Sequence, residues 1–435
     1  MIKTADVYLW GKHVGSIAQD SKSGITNYRY TDWAIDNGVN LSPIVMPAER
    51  KTYQFPDLLR TSFNGVPGLI ADSLPDKFGN AIINNWLMKQ GRQPNTINAV
   101  ERLCYTGERG MGALEYKPQT GPDIATGQEV DVDELVNLAT SILQQRKEFV
   151  VKPKEEEDLA MLLKLGTSAG GARAKAIIAW NEKTNEIRSG QIKAGDGFEY
   201  WLLKLDGVDE NGDKEKNDEI GYGKIEYAYF LMAKDCKVDI MDCRLYKENG
   251  RSHFMTKRFD RINGGEKVHM QTLAALTHTD YNYPGIYSYE EASTVVRILT
   301  EDQSQVEELY KRMVFNILAM NQDDHVKNIS FLMDKKLNWR LSPAYDVGFA
   351  YNPEGAFTSK HQMTINGKQT GFLMEDLLES GKNMGITKGK ILGIIDSVYN
   401  SVSKWKVFAE RAGIQEERAN IIEKTFPLIN MTSLK

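Results

Sequence analysis

The hydrophobic positions along the chain follow two different periods. Near the start, the stretch DVYLWGKHVGSIAQD alternates between apolar and polar residues on both sides of a Gly-Lys pair, which predicts a β-hairpin, and YRYTDWAI predicts a further strand. In residues 56–91 the apolar positions take helical spacing, which predicts helices that end at Gly91. Residues 116–131 contain two prolines and two glycines and predict a linker. The acidic start of DVDELVNLATSILQQ predicts a helix after it.

The second half of the chain changes from strand-like to helix-like patterns. Between about residues 160 and 260, the stretches AKAIIAW, EYWLLKL and CRLYKENGRSHFMTKRF predict strands, and KIEYAYFLMAKDC predicts one helix among them. From about residue 270 onward, YEEASTVVRILT, SQVEELYKRMVFNILAM and KGKILGIIDSVYNSVSKWKVFAERAG predict helices. This order predicts an α+β fold with a strand-rich N-terminal lobe and an all-helical C-terminal lobe, which is the layout of a two-lobed protein kinase. Layout alone does not establish a function.

Composition narrows the class of protein. At 435 residues the chain is too long for one ordinary hydrophobic core, so we expect two or three packed units. The net charge of −5 argues against a chain that coats nucleic acid, although a local basic patch stays open. The start MIKTADVYLWGKHVG lacks the basic and apolar regions of a signal peptide, and no apolar run is long enough to span a membrane. The three cysteines include no C-x-x-C pair, which suits a reducing compartment. We therefore expect a soluble cytoplasmic protein without a disulfide framework, a zinc site or a membrane contact.

One polar run, AMNQDDHVKNISFL (residues 319–332), follows the end of an apolar helix pattern. Asp323 and Asn328 are five residues apart in it. Protein kinases place an Asp and an Asn at this spacing in their catalytic loop, where the Asp orients or accepts the hydroxyl proton and the Asn holds a magnesium ion. On this pair alone, a solvated surface turn explains the residues equally well.

A second polar segment comes shortly after the first. The stretch FLMDKKLNWRLSPAYDVGF predicts a hairpin that ends in Asp346-Val347-Gly348. A kinase delivers its main metal ligand in the same way, on an Asp-x-Gly after the catalytic loop. Magnesium needs hard oxygen ligands and keeps several waters, so Asp346 and Asn328 together with phosphates would suffice. Taken alone, Asp346 is also explained as a turn carboxylate or a helix cap.

A loop of small residues, KLGTSAGGARAKAIIAW (residues 164–180), lies upstream. Such a loop lets backbone N–H groups approach phosphates closely, although a hairpin turn would use the same residues. It is not a Walker A loop, because the residues after Gly171 are Ala172 and Arg173 rather than Lys-Ser/Thr. The stretch EYWLLKLDG places Lys204 on a strand among apolar residues, which suits a phosphate contact, although alternation also allows a solvent-facing position.

These four segments, in this order, resemble the HipA-like serine/threonine kinases, the toxin components of bacterial HipBA-type toxin–antitoxin modules. The resemblance rests on DDHVKN with SPAYDVG, on TSAGGARAKA, on WLLKL and on KRFDR. The N-terminal stretches VYLWGKHVGSI and GLIADSLPDKFGN are similar as well, so the resemblance covers nearly the whole chain. It implies a HipA-like N-terminal subdomain in residues 1–115, a kinase N-lobe with the small-residue loop and the hinge in residues 116–260, and a C-lobe with the catalytic loop in residues 261–435.

The resemblance also implies roles for single residues, with ATP and Mg²⁺ between the lobes. By position, Asp323 would be the catalytic base, and Lys204 would contact the phosphates. Apart from the resemblance, we expect His325, inside the same loop, to orient Asp323 by a hydrogen bond rather than to bind a metal. The metal ligands would be Asn328 and Asp346. Nucleotide contacts would come from Gly170, Gly171, Ala172, Lys175, Lys204, Lys257, Phe259, His325 and Asn328.

The chain departs from the family pattern at two places. Lys257 stands at a hinge position that often carries an acidic residue, which does not matter if only its backbone meets adenine. Arg173 and Ala174 stand where relatives often have Gln-Glu, so the role of that loop's side chains is open, whereas Lys175 keeps its place.

Ser168 falls where the family carries a serine that is autophosphorylated. Phosphate would add nearly two negative charges to a loop that approaches ATP, and repulsion would eject the loop. The alternative is that Ser168 is only a small residue that suits a turn.

The resemblance implies a toxin that arrests growth by phosphorylating a host protein, with an aminoacyl-tRNA synthetase as the suggested substrate. It also implies a HipB-like helix-turn-helix antitoxin as partner, and operator DNA bound indirectly through that antitoxin. Two alternatives stay open at this point. One is a catalytically weak, kinase-like protein that acts mainly as an antitoxin-binding corepressor, and the other is a small-molecule or lipid kinase with the same core.

Two further groups of polar residues do not predict a site. Residues 206–219 resemble a calcium-binding loop, but no Asp-initiated register carries Gly at its sixth position. His253, His269, His278 and His361 are scattered without the spacing of metal ligands.

Overall fold

The structure is a computed structural model that describes residues 2–120, 130–144, 174–191, 193–208 and 221–427. Within these residues the strands form two five-stranded sheets, a three-stranded sheet and a two-stranded ribbon. No helix in this described part is long and apolar enough to cross a lipid bilayer.

The N-terminal sheet contains the predicted hairpin, but its turn is Trp10-Gly11 rather than the predicted Gly-Lys pair, because Lys12 already belongs to the second strand. Its strands are β1 (Thr4–Leu9), β2 (Lys12–Gln19), β3 (Thr26–Tyr30), β4 (Thr52–Gln54) and β5 (Leu114–Lys117). They lie in the order β4-β3-β2-β1-β5. Between β1 and β2, Trp10 and Gly11 both have positive φ angles of 49° and 79°, which is the backbone of the tight turns that match the twist of two antiparallel strands.

Short helices connect the strands of this N-terminal part. The first, α1 (Asp32–Asp36), begins where Thr31 accepts the backbone N–H of Ala34 at 3.2 Å, so only the first part of YRYTDWAI is a strand. The helical pattern of residues 56–91 is confirmed but divided, because Asn64 takes a left-handed backbone (φ 54°) and ends one helix there. The helices within this range are α2 (Arg60–Phe63), α3 (Gly68–Ala71) and α4 (Lys77–Lys89). A further helix, α5 (Ala99–Thr106), follows it.

The second five-stranded sheet forms the strand-rich lobe. Its strands are β6 (Lys175–Asn181), β7 (Glu186–Ser189), β8 (Glu199–Lys204), β9 (Cys243–Glu248) and β10 (Arg251–Lys257), in the order β7-β6-β8-β10-β9. The predicted helices are present as α6 (Val132–Gln144) and α7 (Tyr222–Asp235). Phe78 of α4 and Leu135 of α6 share one core with Ile178 and Trp201 of the sheet. This core joins elements from both sides of the boundary that the sequence predicts near residue 115.

The C-terminal lobe is mainly helical rather than all-helical, which corrects the prediction. Its helices are α8 (Leu273–Thr277), α9 (Tyr289–Thr300), α10 (Gln303–Leu318), α11 (Met374–Asn383), α12 (Lys388–Val402), α13 (Trp405–Ala412) and α14 (Glu416–Glu423). Its strands are β11 (Arg261–Ile262), β12 (Glu266–Lys267), β13 (His269–Thr272), β14 (Ser330–Met333) and β15 (Trp339–Leu341). The pair β14–β15 is the predicted hairpin, and β13 joins β14 from a distant part of the chain.

Polar contacts dock the N-terminal part onto the C-terminal lobe. Gly68 donates its N–H to His278 Nε2 at 3.0 Å. Burial lowers the pKa of His278 to about 4, so the ring is neutral near pH 7 and accepts this bond. Asp72 accepts both the N–H and the hydroxyl of Thr272, at 2.7 and 2.9 Å. Phe55 packs edge-on against His278, with ring centroids 4.4 Å apart.

Candidate active site

A cluster of paired charges lies where strand β8 ends, with Lys204 and Glu226 largely buried and Asp346 at its 42% exposed edge. Lys204, the last residue of β8, donates from Nζ to Glu226 Oε2 at 2.6 Å and also to a carboxylate oxygen of Asp346. The side chains of Lys204 and Glu226 are 14% and 4% exposed, so their charges interact in surroundings with a low dielectric constant. Buried charges are tolerated only when they are well paired, and this lysine has two carboxylates. A strand, a helix and the segment after β15 therefore meet at one ammonium group.

Two glycines allow the close packing that brings Glu226 to Lys204. Gly223 lies in the first turn of α7, where a Cβ would come 2.7 Å from Ser252 O on β10. Because this side chain is missing, α7 lies directly against the sheet, and Glu226, three residues further on, faces the same side. The second glycine is Gly348. A Cβ at this position would come 3.3 Å from Glu226 Cγ and would crowd the glutamate side chain.

Asp346 has a backbone conformation that few residues adopt. Its φ of 55° lies in the left-handed region, which costs most non-glycine residues about 1–2 kcal/mol but is tolerated by aspartate. Two tyrosine hydroxyls fix the chain on either side of it: Tyr345 donates to Lys327 O at 2.7 Å, and Tyr222 donates to Phe349 O at 2.6 Å. A strained backbone held from both sides is typical of a functional site.

The 321–328 loop follows helix α10 and carries the predicted catalytic residues. Asn328 donates from Nδ2 to Asp323 O at 2.9 Å, and the Asp323 side chain is 40% exposed. His325 Nε2 lies 3.6 Å from Asp323 Oδ1, which is too long for a hydrogen bond, so the expected orienting hydrogen bond from His325 is not formed in this structure. The loop thus presents an accessible carboxylate on a backbone that Asn328 holds.

Asp324 has the opposite surroundings, although it is adjacent to Asp323. Its side chain is 1% exposed. Its Oδ2 accepts the Tyr289 hydroxyl at 2.9 Å and lies 3.0 Å from His361 Nδ1, and its Oδ1 accepts the Gln362 N–H at 2.7 Å. Asp324 therefore ties the 321–328 loop to helix α9 and to the segment after β15, whereas the Asp323 side chain is 40% exposed.

A second lysine lies next to Lys204. Lys175, the first residue of β6, is directly opposite Lys204 in the antiparallel ladder of β6 and β8. The Lys175 side chain is 5% exposed, and its Nζ lies 3.9 Å from Asp76 Oδ2, which belongs to the N-terminal part of the chain. Burial lowers the pKa of Lys175, and the charge of Asp76 opposes this shift.

The segment expected to meet adenine begins at the end of β10. Lys257 donates its backbone N–H to Asp242 O at 2.9 Å, so this N–H would have to break a bond in order to reach a base. Phe259 is 9% exposed and lies against the ring of Tyr345, with centroids 5.6 Å apart. This contact connects the hinge segment to the residue before Asp346.

The charged residues of the KRFDR motif hold the hinge to the N-terminal part. Asp260 is fully buried and accepts bonds from Arg258 at 2.8 and 2.7 Å and from Arg261 at 2.9 Å. Gly112 donates its N–H to the same carboxylate at 2.7 Å. Burial raises the pKa of Asp260, but the two arginines and the Gly112 N–H outweigh burial and hold this pKa well below its usual range. Arg258, Asp260 and Arg261 of this motif are thus structural, whereas the Lys257 side chain bonds to Glu199 of β8.

Comparisons with known proteins identify the family of this chain. Residues 167–422 match the family described as HipA-like C-terminal domain, and residues 5–117 match the HipA N-terminal domain. The chain belongs to the HipA-like family. This result confirms the resemblance that the sequence motifs indicated.

Curated relatives of this HipA-like chain are described as kinases. A Haemophilus influenzae protein named "Putative kinase" is 22% identical over 230 residues, which cover 46% of this chain and 67% of that protein. A Sinorhizobium fredii protein of the same description, Y4mE, is 23% identical over 198 residues, which cover 42% of this chain and 47% of that protein. The matched part spans about two thirds of the first relative and about half of the second.

A solved structure confirms the HipA-like fold over nearly the whole chain. The similar chain comes from the Shewanella oneidensis MR-1 complex of HipA, HipB and operator DNA. Its TM-score is 0.63 at 14% sequence identity, and the match covers 97% of this chain and 94% of that chain. At this identity the likeness establishes the fold, so the two-lobed α+β prediction is confirmed.

The HipA-like fold gathers most of the predicted site residues. Lys204 and Asp346 are in contact, and Lys175 lies beside Lys204 on the next strand. Asp323 and Asn328 share one loop, to which Tyr345, the neighbour of Asp346, is bonded. The predicted positions in the small-residue loop fall outside the described residues: Ser168, Gly170, Gly171 and Ala172.

The donor groups of the site fit a magnesium nucleotide. Asp346 offers carboxylate oxygens and Asn328 an amide oxygen, and magnesium is usually held by one or two such ligands together with substrate phosphates. Across the described ranges, no three His, Cys, Asp or Glu side chains are grouped as a dedicated metal site. Lys175 and Lys204 supply the positive charge that phosphates require. His325 Nδ1 is buried and lacks a hydrogen-bond partner among the described residues, so it has capacity for a ligand.

Sequence reasoning missed three carboxylates of this site. Glu226 lies in the predicted helix KIEYAYFLMAKDC, and the lysine–glutamate pair of kinases was a signal that would have singled it out. Asp324 was noticed only as the neighbour of Asp323. Its hydrogen-bond partner His361 looked isolated, because Asp324 and His361 are far apart in sequence. Asp76 carried no signal, since its relation to Lys175 exists only in the folded chain.

Proposed function

We propose that this HipA-like chain is an ATP- and Mg²⁺-dependent protein serine/threonine kinase. The observation that carries the proposal is Lys204 held between Glu226 and Asp346. In protein kinases, a strand lysine paired with a helix glutamate, together with the metal-binding aspartate, is the arrangement that phosphoryl transfer requires. A protein that only binds partners has no physical need of a largely buried lysine–glutamate pair beside a second carboxylate. The descriptions of the curated relatives as kinases support the same conclusion.

The residues of the 321–328 loop and Asp346 would carry the chemistry. Asp323, with its accessible carboxylate, would orient the hydroxyl of the protein substrate and accept its proton, with His325 beside it. Asn328 and Asp346 would hold Mg²⁺, which when bound neutralises charge on the phosphate oxygens. Asn328 would keep its bond to the Asp323 backbone at the same time, because that bond uses the amide nitrogen and leaves the amide oxygen for the metal.

The nucleotide would lie between the two lysines and the hinge. Lys204 and Lys175 would contact the phosphates, and the backbone N–H groups of Gly170, Gly171 and Ala172 would approach the same phosphates. The segment from Lys257 to Phe259 would contact adenine.

The same proposal gives the kinase a role as a growth-arresting toxin. It would phosphorylate a host protein, with aminoacyl-tRNA synthetases as the substrate class that the family resemblance implies. A HipB-like helix-turn-helix antitoxin would restrain it and connect it to operator DNA, which is supported by the solved Shewanella complex of HipA, HipB and operator DNA. Phosphate on Ser168 would provide a second restraint, because its charge would repel the phosphates of ATP.

The experiment that tests the proposal is Asp323→Asn in the full chain. This change keeps the size of the side chain and removes the base, so Mg-ATP should still bind while phosphoryl transfer falls by about 10²–10⁴-fold. Expression of the wild-type chain should arrest growth, and expression of the variant should not. Phosphoproteomes of the two cultures would identify the substrate.

Two results would overturn parts of this proposal. Growth arrest that survives Asp323→Asn would show that toxicity comes from binding rather than from phosphoryl transfer, as in a kinase-like corepressor. Equal phosphoproteomes, with wild-type turnover of ATP, would indicate a small-molecule or lipid kinase.

A further inference from the structure

Two lysines stand side by side at the phosphate end of the cleft, and each faces a carboxylate of its own. Lys175 and Lys204 are directly opposite in the β6–β8 ladder, where the Cβ atoms of such pairs lie about 4.5–5.5 Å apart and like charges repel. Lys204 is bonded to Glu226, which comes from helix α7 of the same lobe. The carboxylate next to Lys175 is Asp76, which comes from the part of the chain that matches the HipA N-terminal domain.

The pair of Lys175 and Asp76 is almost completely withdrawn from water. Their side chains are 5% and 4% exposed. Burial lowers the pKa of Lys175 and raises the pKa of Asp76, and in each case the charge of the other residue is the strongest opposing influence. An isolated charge at such depth is strongly destabilising, so each member of the pair needs the other.

The position of Asp76 is fixed by more than this pair. One of its carboxylate oxygens, Oδ1, accepts the N–H of Gly79 at 2.6 Å and caps helix α4. Helix α4 in turn packs Phe78 and Ile82 into the core beneath the β6–β8 strands. The second oxygen, Oδ2, is buried, has no hydrogen-bond donor among the described residues and is the atom that faces Lys175. A rigid helix start therefore aims an unshared oxygen at the lysine.

The distance between the two groups determines what the pair does. At 3.9 Å, Asp76 Oδ2 attracts the Lys175 ammonium but does not hold it in a hydrogen bond. Among the described residues, Asp76 thus leaves the N–H donors of Lys175 for another acceptor, while it compensates the lysine's charge and orients its side chain. Lys204 differs in this respect, because Glu226 holds it in a hydrogen bond at 2.6 Å.

We infer that Asp76 is a positioning residue for the nucleotide, through which the N-terminal part of the chain completes the phosphate site of the kinase by holding Lys175 charged and in place. This inference rests on the proposed function, since the acceptor for Lys175 is a phosphate of the bound nucleotide. Asp76 itself touches no substrate. The N-terminal part is then a component of the active site as well as a docking element.

A double-mutant cycle on the full-length chain tests this inference. The variants are Asp76→Asn, Lys175→Met and the two combined, and the measurement is the Kd of Mg-ATP by calorimetry. Asparagine still caps helix α4 through its amide oxygen, so the change removes the charge and keeps the cap. We expect Asp76→Asn to raise the Kd about tenfold in the wild-type background and to change it by less than about twofold in the Lys175→Met background. Ser62→Ala is the matched control. It removes a contact between Ser62 and Asp280 that joins the same N-terminal part to the C-terminal lobe, and it should leave the Kd unchanged.

Thermal unfolding without nucleotide provides a second readout of the same pair. Lys175→Met leaves Asp76 buried without its counter-charge and should lower the melting temperature by roughly 5 °C or more, and adding Asp76→Asn should restore part of this loss. This measurement decides the question even where Asp76→Asn alone folds poorly.

The possible outcomes separate this inference from the function on which it rests. Equal Mg-ATP affinity of the wild type and Asp76→Asn would overturn the inference alone. Additive effects of the two substitutions on both the Kd and the melting temperature would also overturn it, because they would show that Asp76 does not act through Lys175. A wild-type chain that binds no Mg-ATP would overturn the proposed function and the inference together.

Discussion

The two adjacent aspartates of the 321–328 loop carry the same charge in very different surroundings, which makes them a matched pair for mutagenesis. Asp324 is 1% exposed and Asp323 is 40% exposed. The substitution Asp→Asn is the same chemical change at both positions. We expect Asp324→Asn to lower the free energy of unfolding by about 2–4 kcal/mol, and Asp323→Asn to change it by less than about 0.5 kcal/mol.

The larger figure follows from the bonds of Asp324. Its two oxygens receive the Tyr289 hydroxyl, the His361 ring nitrogen and the Gln362 N–H, on opposite sides of the carboxylate. An asparagine placed there turns its NH₂ group toward at least one of these donors in either orientation, so at least one bond is lost. Hydrogen bonds to charged groups contribute about 1.5–3 kcal/mol each, and a buried donor that is left unpaired adds its desolvation cost.

Urea unfolding followed by circular dichroism measures both variants against the wild type. A loss of about 2–4 kcal/mol should also lower the melting temperature by roughly 5–15 °C, with the slope of the urea transition unchanged. The rate of phosphoryl transfer should show the opposite order. Asp323→Asn should lose more of this activity than Asp324→Asn, because it removes the base and leaves the fold intact. If the two substitutions change the unfolding free energy equally, then Asp324 is not the anchor that its contacts indicate.

Three further predictions follow from the same contacts. Asp346→Ala should remove most of the Mg²⁺-dependent part of nucleotide affinity, and calorimetry that shows unchanged Mg-ATP binding would refute the metal assignment. Glu226→Gln leaves Lys204 with Asp346 as its charged partner and should lower the kcat/KM of phosphoryl transfer about tenfold or more; near wild-type kinetics would contradict the role of the pair. Burial lowers the pKa of His278 to about 4 from 6.5, so the unfolded chain takes up a proton first and stability falls as the pH drops below 6.5. From pH 7 to pH 5 the wild type should therefore lose up to about 2 kcal/mol more than His278→Asn, and parallel stability curves in urea titrations would count against it.

The strands, the helices and the position of the 321–328 loop after α10 were predictable from the sequence because their signals are local. The alternation of EYWLLKL and the spacing of SQVEELYKRMVFNILAM depend on one element each, and both are present as β8 and α10. Asp323, Asn328 and Asp346 were found because their order along the chain and the hairpin between them are local as well. The strand β13 was missed, because it is added to β14 by a pairing across most of the lobe.

The partners of the charged residues were not predictable, because they depend on which elements pack together. The lysine–glutamate pair of kinases would have indicated Glu226, but its contact with Lys204 exists only because Gly223 lets α7 lie against β10. His361 looked isolated in the sequence because its hydrogen-bond partner, Asp324, lies in another segment. For the same reason, the sequence could not show that Asp324 is buried while its neighbour Asp323 is accessible.

The structure explains why Lys204 needs two carboxylates rather than one. Asp346 is its counter-charge here, and the proposed function gives Asp346 a second role as a metal ligand. A carboxylate that turns to a metal no longer neutralises the lysine with the same oxygens, and a lysine as buried as Lys204 is costly without a partner. Glu226 removes this conflict, because it lies 2.6 Å from Lys204 and belongs to a different element from Asp346. Under the proposed function, Asp346 would exchange Lys204 for the metal while Glu226 keeps the charge of Lys204 compensated, and the bonds of Tyr345 and Tyr222 would hold the left-handed backbone of Asp346.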